Sequence, residues 1–185
     1  MSLTVTASEV SWRSKVSLRQ IQTWTNAGAL LADEGRVNPG RGGSRQYPQT
    51  EVDVAMLIGA IAFHGMSVTE LKSVADHLRR ILRLPAKMRF STPAEASRIA
   101  CQMAPKSDHK GKRSTNDYLD LCAWIAIEEA KKDRGRAILL LNRDESGAWR
   151  HQILTAGRPK PKDGLNDTRW RGGYAINLVG LFGKE

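Results

Sequence analysis

The sequence predicts an α+β protein: a mostly helical N-terminal domain, then a further helix and a small antiparallel β domain toward the C-terminus. Three observations carry this expectation. Ser or Thr followed three residues later by Glu or Gln recurs in the first half of the chain, ahead of apolar residues at helical spacing. Residues 40–54, GRGGSRQYPQTEVDV, place a glycine-rich basic stretch directly before a helix. Three strand-like runs, with a turn between the first two, lie near the end of the chain.

Taken in order, Thr6-Ala7-Ser8-Glu9 reads as a capping box: the threonine oxygen accepts from the Glu9 amide and the Glu9 carboxylate reaches back to the Thr6 amide. A short helix follows, to about Lys15. Ser17-Leu18-Arg19-Gln20 opens a second helix, to about Asn26, and Gly28 stops it. Two short helices a residue or two apart predict a helix-turn-helix. Leu18, Ile21 and Trp24 fall on one face of the second helix and leave Arg19, Gln20, Gln22 and Thr23 outward. A third helix starts near Gln49 or Thr50, carries Val54, Leu57, Ile58 and Ile61 as a core stripe, and ends at Gly65. Ser67-Val68-Thr69-Glu70 is another capping box. Leu71, Val74, Ala75 and Leu78 line the helix it opens, which runs through Arg79, Arg80 and Arg83, read as a solvated face, to the break at Pro85.

Thr92-Pro93-Ala94-Glu95 begins a fifth helix, with proline in its first turn. Residues 105–116, PKSDHKGKRSTN, read as a basic linker. Helix returns over Asp117–Lys132, and strands are expected over Ala137–Leu141, Trp149–Thr155 and Tyr174–Phe182. The turn at 144–147 joins the first two strands, and 157–173 is a long loop. The expected division is residues 1–84, a short helix and linker over 85–116, and a C-terminal domain over 117–185 that serves assembly or sensing.

The net charge of +10 is segregated. Residues 10–45 carry six basic side chains against two acidic, residues 46–78 one against four, and residues 79–113 ten against two. Positive charge banked at two places fits a surface meant for polyanions better than a merely soluble one. With no run of about 18 apolar residues, no membrane partner is expected. The N-terminus MSLTVTASEV has neither block of a secretion signal, so the expected location is the cytoplasm, with the nucleoid.

The glycine-rich stretch admits three readings. A phosphate-cradling loop follows a strand and ends in Gly-Lys-Ser/Thr, and neither feature is present. A plain linker accounts for the glycines but not for the recurrence of Arg36, Arg41 and Arg45, nor for Tyr47 directly after. A basic hairpin, with arms near 30–33 and 45–47, accounts for both. On these residues the chain resembles a known family. VSLRQIQTWTNAGALL, residues 16–31, is similar to the opening of the MerR-type winged helix-turn-helix, roughly V-S-x-R-T-[LI]-R-Y-Y-E-x-x-G-L-L. GSRQY at 43–47 is similar to that family's G-Y-R-x-Y. Asp53 is similar to the residue that opens its third helix, and GMSVTEL at 65–71 resembles G-[FM]-S-[LV]-x-E-[IL]. The resemblance covers residues 6 to about 83. Gln22 and Thr23 stand where the family has arginine and tyrosine, so its target sequence does not carry over. The C-terminal half has neither the family's cysteine-bearing metal loop nor a long heptad helix.

The resemblance implies a bacterial, sequence-specific, double-stranded-DNA-binding transcription regulator. The helix over 17–27 would enter the major groove and a two-stranded wing over 32–47 would lie on the backbone. Arg19 would pair with guanine, and Gln20 or Gln22 with adenine. Thr23 would meet phosphate or a thymine methyl, and Ser17 would open the helix N-terminus toward phosphate. Arg13, Lys15, Arg36, Arg41 and Arg45 would neutralise phosphates. Trp24 and Tyr47 complete the candidate set, both also read as packing residues. A homodimer on an inverted repeat is expected, with RNA polymerase or a recombinase as a further partner. The competing reading is an excisionase-like or architectural DNA protein of a mobile element. The apolar helix at 117–132, with Tyr118, Leu121, Cys122 and Ile125 as its stripe, is expected to pack on the C-terminal strands, on another subunit, or on both. An enzyme is not expected: Asp117, Asp120, Glu128 and Glu129 form no nucleophile–base pair. No metal or other cofactor is expected, and Cys101 and Cys122 read as two buried thiols.

Overall fold

The computed structural model describes residues 4–33, 45–103, 115–132, 137–144, 146–155 and 173–182. They form an α+β protein with two small antiparallel sheets, and the chain divides into two compact units, Met1–Arg80 and Ile81–Glu185. The glycine tip, the basic linker and the long loop lie mainly outside the described residues.

The first unit begins with strand β1 (Thr4–Thr6), which runs into helix α1 (Ala7–Ser14). Thr6 caps α1 by accepting from the Glu9 amide at 3.3 Å. The other half of the expected box does not form. Glu9 turns instead to Arg13, one helical turn on, where an opposite charge competes for it. Helix α2 (Leu18–Asn26) starts after a three-residue turn, and its capping box is complete: Gln20 N donates to Ser17 Oγ, and Gln20 Oε1 accepts from Ser17 N, both at 3.3 Å. Ser17→Ala should destabilise the unit by about 1 kcal/mol, measured as a shift in urea midpoint at constant m-value. Gly28, at φ +74, lets the chain leave α2 while the Ala29 and Leu30 amides bond back to the Trp24 carbonyl.

Strand β2 (Gln46–Pro48) leads into helix α3 (Gln49–Ala62), whose Val54, Leu57, Ile58 and Ile61 are all buried as their spacing predicts. A Cβ on Gly59 would come within 2.8 Å of Val16 Cγ2, so this position allows the turn after α1 to close on α3. Helix α4 (Val68–Leu82) opens with the expected Ser67–Glu70 box and buries Leu71, Val74, Ala75 and Leu78.

Among the described residues, the expected arm over 30–33 forms no strand. The partner of β2 is β1, with Val5 opposite Tyr47. The other arm bonds to β2 from Asp33 N to Gln46 O at 2.7 Å. A ladder continued in that register would set Leu31 against Pro48. Pro48 has no N–H to give, and the Leu31 N–H is held by the Glu51 carboxylate at 2.9 Å.

In the second unit, a five-residue helix α5 (Leu84–Met88) carries Pro85 in its first turn, and α6 (Pro93–Met103) packs on α7 (Thr115–Lys131). Phe90 meets Trp124 edge to face at 4.8 Å. A three-stranded sheet of order β4-β3-β5 is formed by β3 (Ala137–Arg143), β4 (Trp149–Thr155) and β5 (Gly173–Asn177). Asp144 holds the hairpin by accepting from Ser146 and Arg150, which lower its carboxyl pKa to about 2. The last expected strand is shorter than predicted. Asn177 Oδ1 accepts from Gly180 N, and Leu178–Phe182 turns into a short helix, α8. An apolar run of this length does not by itself distinguish strand from helix.

Helix α7 buries Leu121, Trp124 and Ile127, while Tyr118, Cys122 and Ile125 are only half-buried. Its packing partners within the unit include α6, α8, β3 and β4. Cys101 is exposed, contrary to the buried thiol expected, because α6 turns Ala96 and Ala100 inward. Among the described residues, no helix is long and apolar enough to cross a membrane.

Candidate nucleic-acid interface

The candidate site is built on α2. Ile21 is fully buried and Trp24 is 3% exposed, so the helix is fixed along one side. Arg19, Gln20, Gln22 and Thr23 are exposed on the other. Among the described residues, the Arg19 and Gln22 side chains make no hydrogen bond, which leaves a guanidinium and an amide available for an external partner. Thr23 Oγ1 donates to the Arg19 carbonyl at 2.9 Å and can still accept. Gln20 is committed differently: its Oε1 accepts from both Ser17 N and Ser17 Oγ. Bidentate pairing by Gln20 would require breaking the cap, which makes Gln22 the better placed of the two glutamines.

Several expected site residues are placed otherwise. Trp24 leaves the contact set because its ring fills the core. Tyr47 leaves it for the same reason, being fully buried with its hydroxyl 2.8 Å from Thr25 Oγ1. The Thr25 hydroxyl already donates to the Ile21 carbonyl, so the phenol is the donor and ties β2 to the C-terminal half of α2. Leu18, expected on the buried face, is 41% exposed, since it is the first residue of the helix and lies beyond the packed turn. Ser17 is the exposed N-cap. Arg13 is half-buried, donating to Glu9 and, at 3.3 Å, to Gln49 Oε1, so part of its charge is balanced internally. Lys15 is exposed at the left-handed turn between α1 and α2. Arg45 is half-buried immediately before β2. Arg36 and Arg41 lie outside the described residues.

Arg79 requires the largest correction. It is 3% exposed and belongs to no solvated face. Its Nε and Nη2 donate to the two oxygens of Glu51 at 2.7 and 2.8 Å, its Nη2 also reaches the Ala29 carbonyl at 2.6 Å, and its Nη1 reaches Asp76 at 2.7 Å. Burial works against the guanidinium charge, but Glu51 and Asp76 outweigh it and hold the pKa above the ordinary arginine value. Arg79 is thus withdrawn from the positive bank that the sequence places over 79–113, while Arg80 and Arg83 are exposed. His77, beside Arg80, is buried.

Sequence reasoning did not single out Glu51 or Thr25. The only signal for Glu51 was an acid in the first turn of α3, which is the ordinary helix-dipole position and carries no further information. Among the described residues, no three His, Cys, Asp or Glu side chains gather as a metal site would require.

No protein-family model matches the chain, and no curated protein matches it. The likeness to the MerR-type module therefore rests on the sequence motifs themselves.

Proposed function

We propose that this protein binds double-stranded DNA as a sequence-specific transcription regulator, using a MerR-like winged helix-turn-helix. Helix α2 enters the major groove, and the arm ending at Arg45 lies on the neighbouring backbone. The observation that carries this reading is the exposed row of Arg19, Gln22 and Thr23 on a helix whose opposite side is fixed by Ile21 and Trp24. Arg45 stands two residues before the tyrosine that bonds to the same helix. A rigid helix with free polar side chains suits base-edge readout, because the hydrogen-bonding groups are presented without prior ordering of the backbone. The net charge of +10 supplies the long-range attraction to phosphate.

The test is selection of bound duplexes from a random pool, followed by quantitative footprinting with the full chain and with Arg19→Ala. Arg19→Ala should lower discrimination at one base position by about 1–3 kcal/mol and leave the others intact. Equal weakening on every sequence would remove Arg19 from base readout. Strong bending of circularly permuted fragments, with no effect on a linked promoter, would favour the architectural role over regulation.

A further inference from the structure

The buried Glu51–Arg79 pair lies outside the exposed face of α2, yet its bonds converge on the segment that connects that face to Arg45. Arg79 Nη2 holds the Ala29 carbonyl at 2.6 Å, just beyond the end of α2. Glu51 Oε2 holds the Leu31 amide at 2.9 Å. Two residues on, the Asp33 amide bonds to the carbonyl of Gln46, the neighbour of Arg45. Glu51 stands in the first turn of α3 and Arg79 in the last part of α4, so the clasp joins two helices to the segment that follows α2. A stability role alone would be served by apolar side chains of similar volume. The bidentate fork does something apolar groups do not: it specifies the position of one carbonyl and one amide on either side of Leu30.

We infer that Glu51 and Arg79 are positioning residues that fix Arg45 relative to helix α2, so that both engage one duplex at the same time. The inference rests on the DNA-binding reading above. It assigns the two residues no contact with DNA. Their effect on binding passes through the backbone of 29–33 and then through Gln46.

The experiment uses the full chain and a duplex selected by it. The double variant Glu51→Leu/Arg79→Met removes both charges together, leaving no unpaired ion in the core. Arg45→Ala is then introduced into the wild-type and the double-variant backgrounds. In the wild-type background it should weaken all duplexes about equally and lower the slope of log K against log salt by about 1. In the double variant, still folded by circular dichroism, Arg45→Ala should change affinity by less than about twofold, because Arg45 no longer meets its phosphate. Arg19→Ala should retain its full effect in both backgrounds. A second readout is amide exchange at Leu31 and Asp33, which should quicken in the double variant ahead of the rest of the unit.

A folded double variant in which Arg45→Ala keeps its whole effect would overturn the inference and leave the pair with a structural role only. Absence of salt-dependent duplex binding by the wild-type chain would instead overturn the functional reading itself. Should the double variant not fold, Arg79→Lys carries the same test, since it keeps the charge but lacks the fork. An unchanged Arg45 effect in that variant would count equally against positioning.

Discussion

Glu51→Ala is expected to destabilise the first unit by about 3–5 kcal/mol, the range for breaking a buried pair by removing one partner. Among the described residues, the variant leaves Arg79 at 3% exposure with only Asp76, which is half exposed, as a charged partner. Deprotonation offers no escape, because an arginine pKa lies far above any working pH. The Leu31 amide loses its acceptor as well, but Leu31 is 42% exposed, so water can replace the carboxylate there at a smaller cost. Against a total of about 5–15 kcal/mol for an ordinary domain, such a loss brings the unit close to unfolding at ambient temperature. Urea titration followed by tryptophan fluorescence measures it. A loss under about 1 kcal/mol would mean that water solvates the pair in solution and that the clasp is loose. The compensated variant Glu51→Leu/Arg79→Met should recover most of the loss, since neither an unpaired ion nor a cavity of side-chain size remains.

Trp24→Ala should cost about 3–5 kcal/mol, the range for removing a large aromatic ring from a packed core. The same position distinguishes packing from DNA contact. Trp24→Phe removes the indole nitrogen and some volume but retains an aromatic ring, so the helix should stay in place with a smaller loss of stability. With the ring buried, Trp24→Phe should leave duplex affinity and its salt slope unchanged once the protein is folded. A uniform drop in affinity for folded Trp24→Phe would restore the tryptophan to the contact surface and would require α2 to turn about its axis. Ile21 is buried in full on the same side, which opposes such a turn.

The local elements were legible because each depends on residues close together in the chain. The α2 capping box needs only Ser17 and Gln20, and the core stripe of α3 needs only Val54, Leu57, Ile58 and Ile61 at one helical period. The polar row of α2 follows from the same periodicity, so most of the candidate contact face could be named in advance. Leu18 departed because periodicity assigns a direction and not the extent of the neighbour that covers it. The end of the chain departed because one asparagine cap outweighed the apolar run after it. Trp24 and Tyr47 were readable as aromatic and near the site, but which surface a ring occupies depends on what packs around it.

Helices, caps and the outward polar face of α2 can be read from the residue order, since they follow from bonds and periodicities within a few residues. Which side chains enter the core, and which strands pair, follows instead from contacts between distant parts of the chain. Arg79 sits in the same local chemistry as Arg80 and Arg83. Yet it is buried where they are exposed, and it reaches a carboxylate 28 positions away and a carbonyl 50 positions away. Likewise β2 pairs with a strand more than 40 positions earlier, at the start of the chain. A charged side chain is buried only where its partners are brought to it, and that convergence is a property of the folded chain.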